Sequence, residues 1–266
     1  NAAGTVTSSN ATLTVTSPNV APTANITSPV AGYTYAGGQL INYAGTGTDP
    51  ENGTLAASAF KWYILFYHDT HNHPGPTAVS GVKNGSFTIP STGETASNVW
   101  YRLFLVVTDS QGATDTAYTD ILPRTSLITI NSSPQGLAIT LDGQPFTTAF
   151  TVTSVEGITR SVSATSPQTL NGNSHNFINW SHGGTQTQTF ATPVNDVTYT
   201  ANYAVATNTP YGGTPRIIPG TIQVEDFDNG GQNLAYYDSS PENIGGAYRI
   251  NESIDLQNST EAGFNI

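Results

Sequence analysis

The sequence predicts an all-β protein built of several small sandwich modules, and three observations lead to this class. Short alternating runs of apolar and polar residues recur, for example at 11–16, 127–130 and 197–203, each bounded by Gly, Pro, Asn or Ser. Nowhere does an apolar pattern keep a period of 3.6 over three turns, and Thr, Val, Tyr and Phe stand where helix formers are needed. With 266 residues, the chain is too long for one sandwich.

Composition excludes several classes of function. The formal net charge is −11, and an acidic surface repels phosphate backbones and anionic lipid, so neither nucleic acid nor membrane insertion is expected. The absence of cysteine excludes disulfides, zinc–thiolate sites and thiol nucleophiles. Few charges, many hydroxyl and amide side chains, and no Cys or Met favour a secreted, extracellular or cell-surface location.

Residues 1–17 contain a polar turn followed by the alternating run 11–16. They resemble the last hairpin of an immunoglobulin-like domain. Two strands do not form a stable sandwich alone, so we expect a chain that is cut inside a module here, and again at its C-terminal end. Residues 1–8 contain no basic or apolar signal region, which places any export signal upstream.

The next module is predicted at 23–124. It contains Gly45-Thr-Gly-Thr-Asp-Pro-Glu-Asn-Gly53, a strand around Trp62, and Val107-Thr-Asp-Ser-Gln-Gly112. These motifs resemble PKD and related immunoglobulin-like domains of bacterial secreted enzymes. Asp49 and Asp109 are expected to form Asx turns, with calcium ligation as the alternative. The residues expected to alternate inward are Trp62, Leu65, Tyr101, Leu103 and Leu105.

Within this module, His68-Asp-Thr-His-Asn-His73 is the densest group of imidazoles. Two imidazoles separated by one residue point to the same side of a strand, so His68, His71 and His73, with Asp69 nearby, are candidate ligands for a transition metal. The alternative is a hydrogen-bonded loop packed over a sheet edge. The run also resembles a His-rich stretch of immunoglobulin-like domains appended to secreted sugar dehydrogenase-like proteins.

A second small module is predicted at 125–204, followed by a linker at 205–215. Asp142-Gly143 is a type I′ hairpin signal, because both turn positions of that hairpin need positive φ. Trp180 is expected in the core, with a sugar platform as the alternative. The ordered motifs 134–136, 142–143, 177–184 and 199–203 resemble those of small bacterial β repeats.

Residues 216–266 carry the functional argument. They contain Ile218-Pro-Gly-Thr-Ile-Gln-Val-Glu-Asp-Phe-Asp228, Ala235-Tyr-Tyr-Asp238 and Asn243-Ile-Gly-Gly-Ala-Tyr-Arg249. This order resembles the N-terminal half of a family 6 carbohydrate-binding module, which implies an incomplete jelly roll. Alternation along a predicted strand puts Gln223 and Glu225 on one face, and the resemblance makes them ligands of a structural calcium ion; the alternative is an exposed polar face.

The same resemblance implies that Tyr248 stacks on a sugar ring, with Asn243 and Arg249 as polar contacts. We therefore expect a non-catalytic region that targets a larger secreted carbohydrate-active enzyme to polysaccharide, the catalytic domain lying elsewhere in the same parent chain. Two alternatives remain: adhesion or surface-stalk modules without sugar binding, and an accessory region of a sugar dehydrogenase-like protein. No Ser, His or phosphate-binding motif of an enzyme occurs.

Overall fold

The computed structural model describes residues 3–5, 7, 9–10, 18–232, 234–240, 242–260 and 264–265. The chain is all-β, as the sequence predicts, and it divides into two compact units, 1–124 and 125–266. The strand predicted at 11–16 lies outside the described residues. The described residues contain no helix long and apolar enough to cross a membrane.

The described residues of the first unit form ten strands. They are β1 (Thr23–Ser28), β2 (Thr34–Tyr35), β3 (Leu40–Asp49), β4 (Gly53–Thr54), β5 (Phe60–His68), β6 (His71–Pro74), β7 (Val79–Ser80), β8 (Asn84–Thr88), β9 (Val99–Thr108) and β10 (Thr114–Pro123), with a 3₁₀ turn at Ala57–Ala59. One sheet contains β1, β3, β4 and β8, and the other has the order β2-β10-β9-β5-β6 with β7 on β5.

The core of the first unit follows from period-two alternation. Phe60, Trp62 and Ile64 of β5 are buried, and so is every second residue of β9 from Val99 to Val107. The expectation that Leu65 points inward with Trp62 is wrong, because Leu65 is an odd number of residues away and lies on the opposite face. Gly45 lets the two sheets approach, since a Cβ there would lie 2.6 Å from the Leu105 side chain.

The two predicted Asx turns are confirmed. Asp49 Oδ1 accepts hydrogen bonds from the backbone N–H groups of Glu51 (3.1 Å) and Asn52 (2.6 Å). Asp109 Oδ1 accepts from Gln111 (2.8 Å) and Ala113 (2.9 Å). Both side chains therefore hold the turns that connect strands.

In the second unit, the part of the chain that the structure describes forms nine strands in the larger portion and a short hairpin near the end. These strands are β11 (Thr125–Ser133), β12 (Ala138–Leu141), β13 (Gln144–Thr147), β14 (Phe150–Val155), β15 (Thr159–Ala164), β16 (Gln168–Leu170), β17 (Asn173–Trp180), β18 (Thr187–Ala191), β19 (Val197–Val205), β20 (Gln257–Asn258) and β21 (Phe264–Asn265). The sheets have the orders β14-β11-β19-β17-β16 and β13-β12-β15-β18.

Two predictions for this unit are confirmed. Asp142 (φ 50°) and Gly143 (φ 77°) form the two-residue turn between β12 and β13, where Leu141 pairs with Gln144. Trp180 is 2% exposed and packs in the core with Ile128, Ile139 and Tyr203.

Residues 206–260 contain little regular structure. A bridge joins Thr209 to Asn229, 3₁₀ turns lie at Tyr211–Gly213 and Val224–Asp226, and Ile254 and Leu256 are buried. The strand expected through Gln223 and Glu225 is therefore wrong: the chain turns at Val224, so side chains two residues apart do not share a strand face.

Candidate functional site

The histidine cluster lies on the β5–β6 hairpin. His68 is the last residue of β5 and pairs with His71, the first residue of β6, while His73 pairs with Phe66. Residues paired across an antiparallel ladder share a face, as do residues two apart on one strand. All three imidazoles therefore project from the same side of the hairpin.

The three rings are close together. Ring centroids are 5.3 Å apart for His68 and His71 and 4.8 Å apart for His71 and His73. One ring nitrogen of each residue lies within 4.8 Å of the other two. His71 and His73 are exposed and His68 is partly buried. Among the described residues, this is the group of three or more His, Asp or Glu side chains that converges in this way.

A carboxylate from a distant loop supports the cluster. Glu94 Oε2 lies 3.3 Å from His68 Nδ1, and Glu94 Oε1 accepts a hydrogen bond of 2.7 Å from the backbone N–H of Ala96. A carboxylate against one imidazole nitrogen fixes the ring orientation and favours the tautomer in which the other nitrogen is free to bind a metal. Glu94 is 26 residues away from His68 along the chain and was not predicted from the sequence.

The hairpin tip is also fixed. Asp69, with φ 50°, forms the tight turn, its backbone N–H donates to Asn98 O (3.2 Å), and its Oδ1 accepts from Asn98 Nδ2 (3.2 Å). The Asp69 carboxylate is therefore occupied in holding the turn, and it is not one of the converging groups.

The three residues expected to bind sugar are close together in sequence, but each makes contacts within the chain. The Tyr248 hydroxyl donates to Asp226 Oδ1 (2.8 Å), and its ring meets that of Tyr211 edge-on with centroids 5.8 Å apart. A hydrogen bond with Tyr211, burial, and the hydrogen bond to the charged Asp226 raise the pKa of Tyr248.

Arg249 and Asn243 also make contacts within the chain. The Arg249 side chain is only 2% exposed, pairs with Glu252 at 2.7 Å, and lies over the ring of Phe227 at 3.8 Å. Asn243 Oδ1 accepts from the backbone N–H groups of Gly246 (2.8 Å) and Leu256 (3.2 Å). These polar groups are thus engaged within the protein, and a sugar contact through them stays a prediction of the resemblance.

The two residues expected to bind calcium differ in exposure. Glu225 is 6% exposed, whereas Gln223 is exposed and begins the 3₁₀ turn. Glu225 does not belong to a converging group of three or more His, Asp or Glu side chains among the described residues. Calcium binding at these two positions stays a prediction.

An aromatic ladder that was not predicted from the sequence lies on the outer face of the second sheet of unit 1. Tyr63 stacks on Phe104 (4.5 Å, 7°), and Tyr67 stacks on Trp100 (4.9 Å, 10°). Arg102 lies over Tyr67 and is held by Asp120 at 2.6 Å. The rings cover each other's faces, so the ladder adds cross-strand stabilisation and does not form a flat platform. Tyr63 and Tyr67 are an even number of residues apart on one strand, and this spacing was the sequence signal that could have predicted the ladder.

No protein-family model matches the sequence, and no curated protein matches it. Among solved structures, the chain resembles the major pilin subunit BcpA of Bacillus cereus at 10% identity, with a TM-score of 0.29 over 69% of this chain and 71% of the pilin. A 1.5-MDa bacterial ice-binding adhesin is similar at 13% identity, TM-score 0.21, over 68% of this chain and 66% of the other. A Ca²⁺-stabilised adhesin of an Antarctic bacterium is similar at 12% identity, with a TM-score of 0.19, over 68% of this chain and 50% of the other. Scores this low do not establish a shared fold or function.

Proposed function

We propose that this chain is a non-catalytic, load-bearing spacer region of a secreted or cell-surface protein, of the kind that serves in adhesion or in a surface stalk. The observation that carries this proposal is the placement of the first and last strands of the 125–205 module. They lie side by side and run in the same direction, so the chain enters the module at one end and leaves it at the other.

The register gives the length of this module. Strands β11 and β19 pair in parallel over six residues, from Ile128 opposite Val197 to Ser133 opposite Asn202. Thr125 lies eight residues before Ser133 and Val205 three residues beyond Asn202, which separates the two ends by about 36 Å at 3.3 Å per residue.

In the first unit, too, the chain enters at one end and leaves at the other. Asn19, ahead of β1, donates to Asp109 Oδ2 (2.7 Å), and Ala24 N–H donates to Asp115 Oδ2 (2.8 Å), which places the incoming chain at the start of β10. The chain leaves at Pro123, the end of β10, about 27 Å away for eight residues of strand.

Tension applied along such a module loads the β11–β19 ladder in shear. The hydrogen bonds of the parallel pair lie across the direction of pull, so they must fail together, whereas a pair pulled from one end opens one bond at a time. Each module also has its own core, which a spacer needs if it is to keep its length without a partner.

The acidic, hydroxyl-rich surface supports an extracellular location, since net charge away from zero keeps exposed modules from associating. Attachment to a polysaccharide-degrading enzyme remains a proposal that rests on the resemblance of 216–266 alone. The spacer role does not depend on it.

Single-molecule pulling tests the proposal. The full chain contains no cysteine, so a Thr125→Cys, Val205→Cys variant provides two attachment points that load β11 and β19 in shear. Its control is Thr125→Cys, Asn195→Cys, whose attachment points lie at the same end of the two strands and peel them apart. All three positions are exposed.

We expect a severalfold higher unfolding force for the shear pair than for the peeling pair at the same loading rate. The unfolding force depends on the unfolding rate, which the substitutions could change by altering stability. Both variants are therefore first shown to have the same thermal stability. Equal forces in the two geometries reject a load-bearing role.

A further inference from the structure

We propose that His68, His71 and His73 form a binding site for one divalent transition-metal ion, with Zn²⁺ as the ion that fits the ligand set. This site is independent of the spacer role. It stands on three imidazoles that share one face of a tight hairpin, with one nitrogen of each within 4.8 Å of the others.

The geometry needs only side-chain rotation to reach a metal complex. At a Zn–N distance of 2.0–2.1 Å, nitrogens of a tetrahedral site lie about 3.4 Å apart, so the ring nitrogens must approach each other by no more than about 1.4 Å. His71 and His73 are exposed, and exposed side chains change rotamer freely. The backbone of the hairpin can therefore stay as it is.

The ligand nitrogens are available. Neither the His71 nor the His73 imidazole makes a hydrogen bond to another residue in the described part of the chain; the contacts of these rings are with neighbouring imidazoles. Packing over a sheet edge alone does not require three imidazole nitrogens to lie within 4.8 Å of one another, so it gives no reason for this arrangement. A shared ion supplies that reason.

The surroundings prepare His68 for metal binding. Glu94, held by Ala96 N–H, faces His68 Nδ1, which leaves Nε2 as the ligand atom. The paired contacts between Asp69 and Asn98 hold the tip of the hairpin against the loop that carries Glu94. We assign Glu94 the role of a positioning residue.

The donor set selects among metals. Three neutral imidazoles suit Zn²⁺, Cu²⁺ and Ni²⁺, whereas Ca²⁺ and Mg²⁺ prefer oxygen ligands. Three protein ligands leave a fourth position of the tetrahedron for water or for a ligand from another molecule. The net charge of −11 raises the local concentration of cations around the chain.

Isothermal titration of the full chain with ZnCl₂ tests the site. We expect one Zn²⁺ per chain, and at least a tenfold weaker affinity in each of the variants His71→Ala and His73→Ala. Both residues are exposed, so the circular dichroism and melting temperature of the metal-free variants should match those of the parent. His182→Gln, which removes an exposed imidazole outside the cluster, is the matched control and should bind like the parent.

Two further measurements separate a built site from loose association. Co²⁺ in place of Zn²⁺ should give the intense visible absorption of tetrahedral nitrogen ligation, and His73→Ala should lose it. Glu94→Gln should weaken Zn²⁺ binding by about tenfold while leaving one ion per chain, as expected for a carboxylate that orients a ligating imidazole. Absence of heat above buffer, or binding that His71→Ala and His73→Ala leave unchanged, overturns the proposal.

Discussion

Arg160 donates from Nε to Asp142 Oδ2 at 2.6 Å and buries its guanidinium beneath the turn that Asp142 begins. Asp142 Oδ1 also accepts the backbone N–H of Ser161 (2.9 Å), and Arg160 Nη1 donates to Ser154 Oγ (2.8 Å). The pair thus ties β15 to the β12–β13 hairpin. The contribution of the Arg160–Asp142 pair to stability depends on burial, since only 7% of the Arg160 side chain is exposed.

Arg160→Met should therefore lower the free energy of unfolding of the second unit by about 2–3 kcal/mol, because the carboxylate of Asp142 loses its partner in a largely buried position. The matched control is Arg216→Met. Arg216 pairs with Asp226 at the same 2.6 Å, but its side chain is 48% exposed, so the loss should stay below about 1 kcal/mol. Urea denaturation measures the unfolding free energy that each variant loses, and equal losses would contradict the dependence on burial.

Asp109 should stabilise the first unit in a pH-dependent way. Its hydrogen bond from Asn19, and those from the backbone of its own turn, hold its pKa below the ordinary value of 3.8. With a lowered folded-state pKa, the stabilisation is present above about pH 4 and is lost as the pH falls through the folded-state value. Asp109→Asn should lower the melting temperature at pH 7 and flatten its dependence on pH between 4 and 2. A variant curve parallel to the parent curve throughout that range would rule this out.

These results show which features can be predicted from local sequence. The turn at Asp142-Gly143 and the Asx turns at Asp49 and Asp109 depend on a few adjacent residues, so their conformation is set locally. Burial of Trp180 follows from its apolar surroundings. The convergence of His71 and His73 was predictable because side chains two residues apart share a strand face, whereas the hairpin that places His68 opposite His71 was not predicted.

A contact that depends on distant residues was not predicted, and two local strand assignments were wrong. Glu94 reaches His68 from another loop, and nothing in its immediate sequence indicates that contact. The inward assignment of Leu65 failed because β5 stays in phase with Trp62 and Ile64. The strand at Gln223 was inferred from alternation over three residues, too short a run to distinguish a strand from a 3₁₀ turn.

Tyr101 should make the first unit sensitive to alkali. Burial raises the pKa of Tyr101 to about 12, and its ring packs edge-on against buried Tyr35 at 5.2 Å. Because the unfolded chain ionises near pH 10 and the folded chain does not, stability is complete below pH 10 and falls as the pH rises towards 12. Tyr101→Phe cannot ionise and should shift the alkaline unfolding midpoint upward. An unshifted midpoint would assign the alkaline transition to other groups.

Tyr248 tests the sugar-binding resemblance against the observed contacts. Since its hydroxyl is bonded to Asp226 and its ring contacts Tyr211, Tyr248→Ala should make residues 206–260 more sensitive to limited proteolysis. Tyr237→Ala, which removes a ring that is 79% exposed, is the control and should have little effect. If Tyr248 is instead a sugar-stacking residue only, the variant keeps parental protease resistance and loses retardation on xylan, β-glucan or agarose gels.

The two units should differ in mechanical strength. In the first unit the parallel contact between the early and late strands is short, with Leu122 and Pro123 of β10 paired to Thr34 and Tyr35 of β2. In the second, β11 and β19 pair over six residues. Since hydrogen bonds loaded in shear fail together, the longer ladder should carry more force before it opens.

Pulling the full chain from cysteines at the exposed positions Val20 and Val205 should accordingly give two unfolding events, the weaker with the contour length of the first unit. Leu122→Pro gives the sharper test, because it removes the N–H that donates to Tyr33 O (3.3 Å) at an exposed position and leaves the β9–β10 ladder, which ends at Ile121, in place. We expect this variant to lower the force of the first event and to leave the second event unchanged, because the β11–β19 pair is untouched. If the weaker event belonged to the second unit, or if Leu122→Pro left both forces unchanged, the length of the parallel ladder would not set the mechanical strength of these modules.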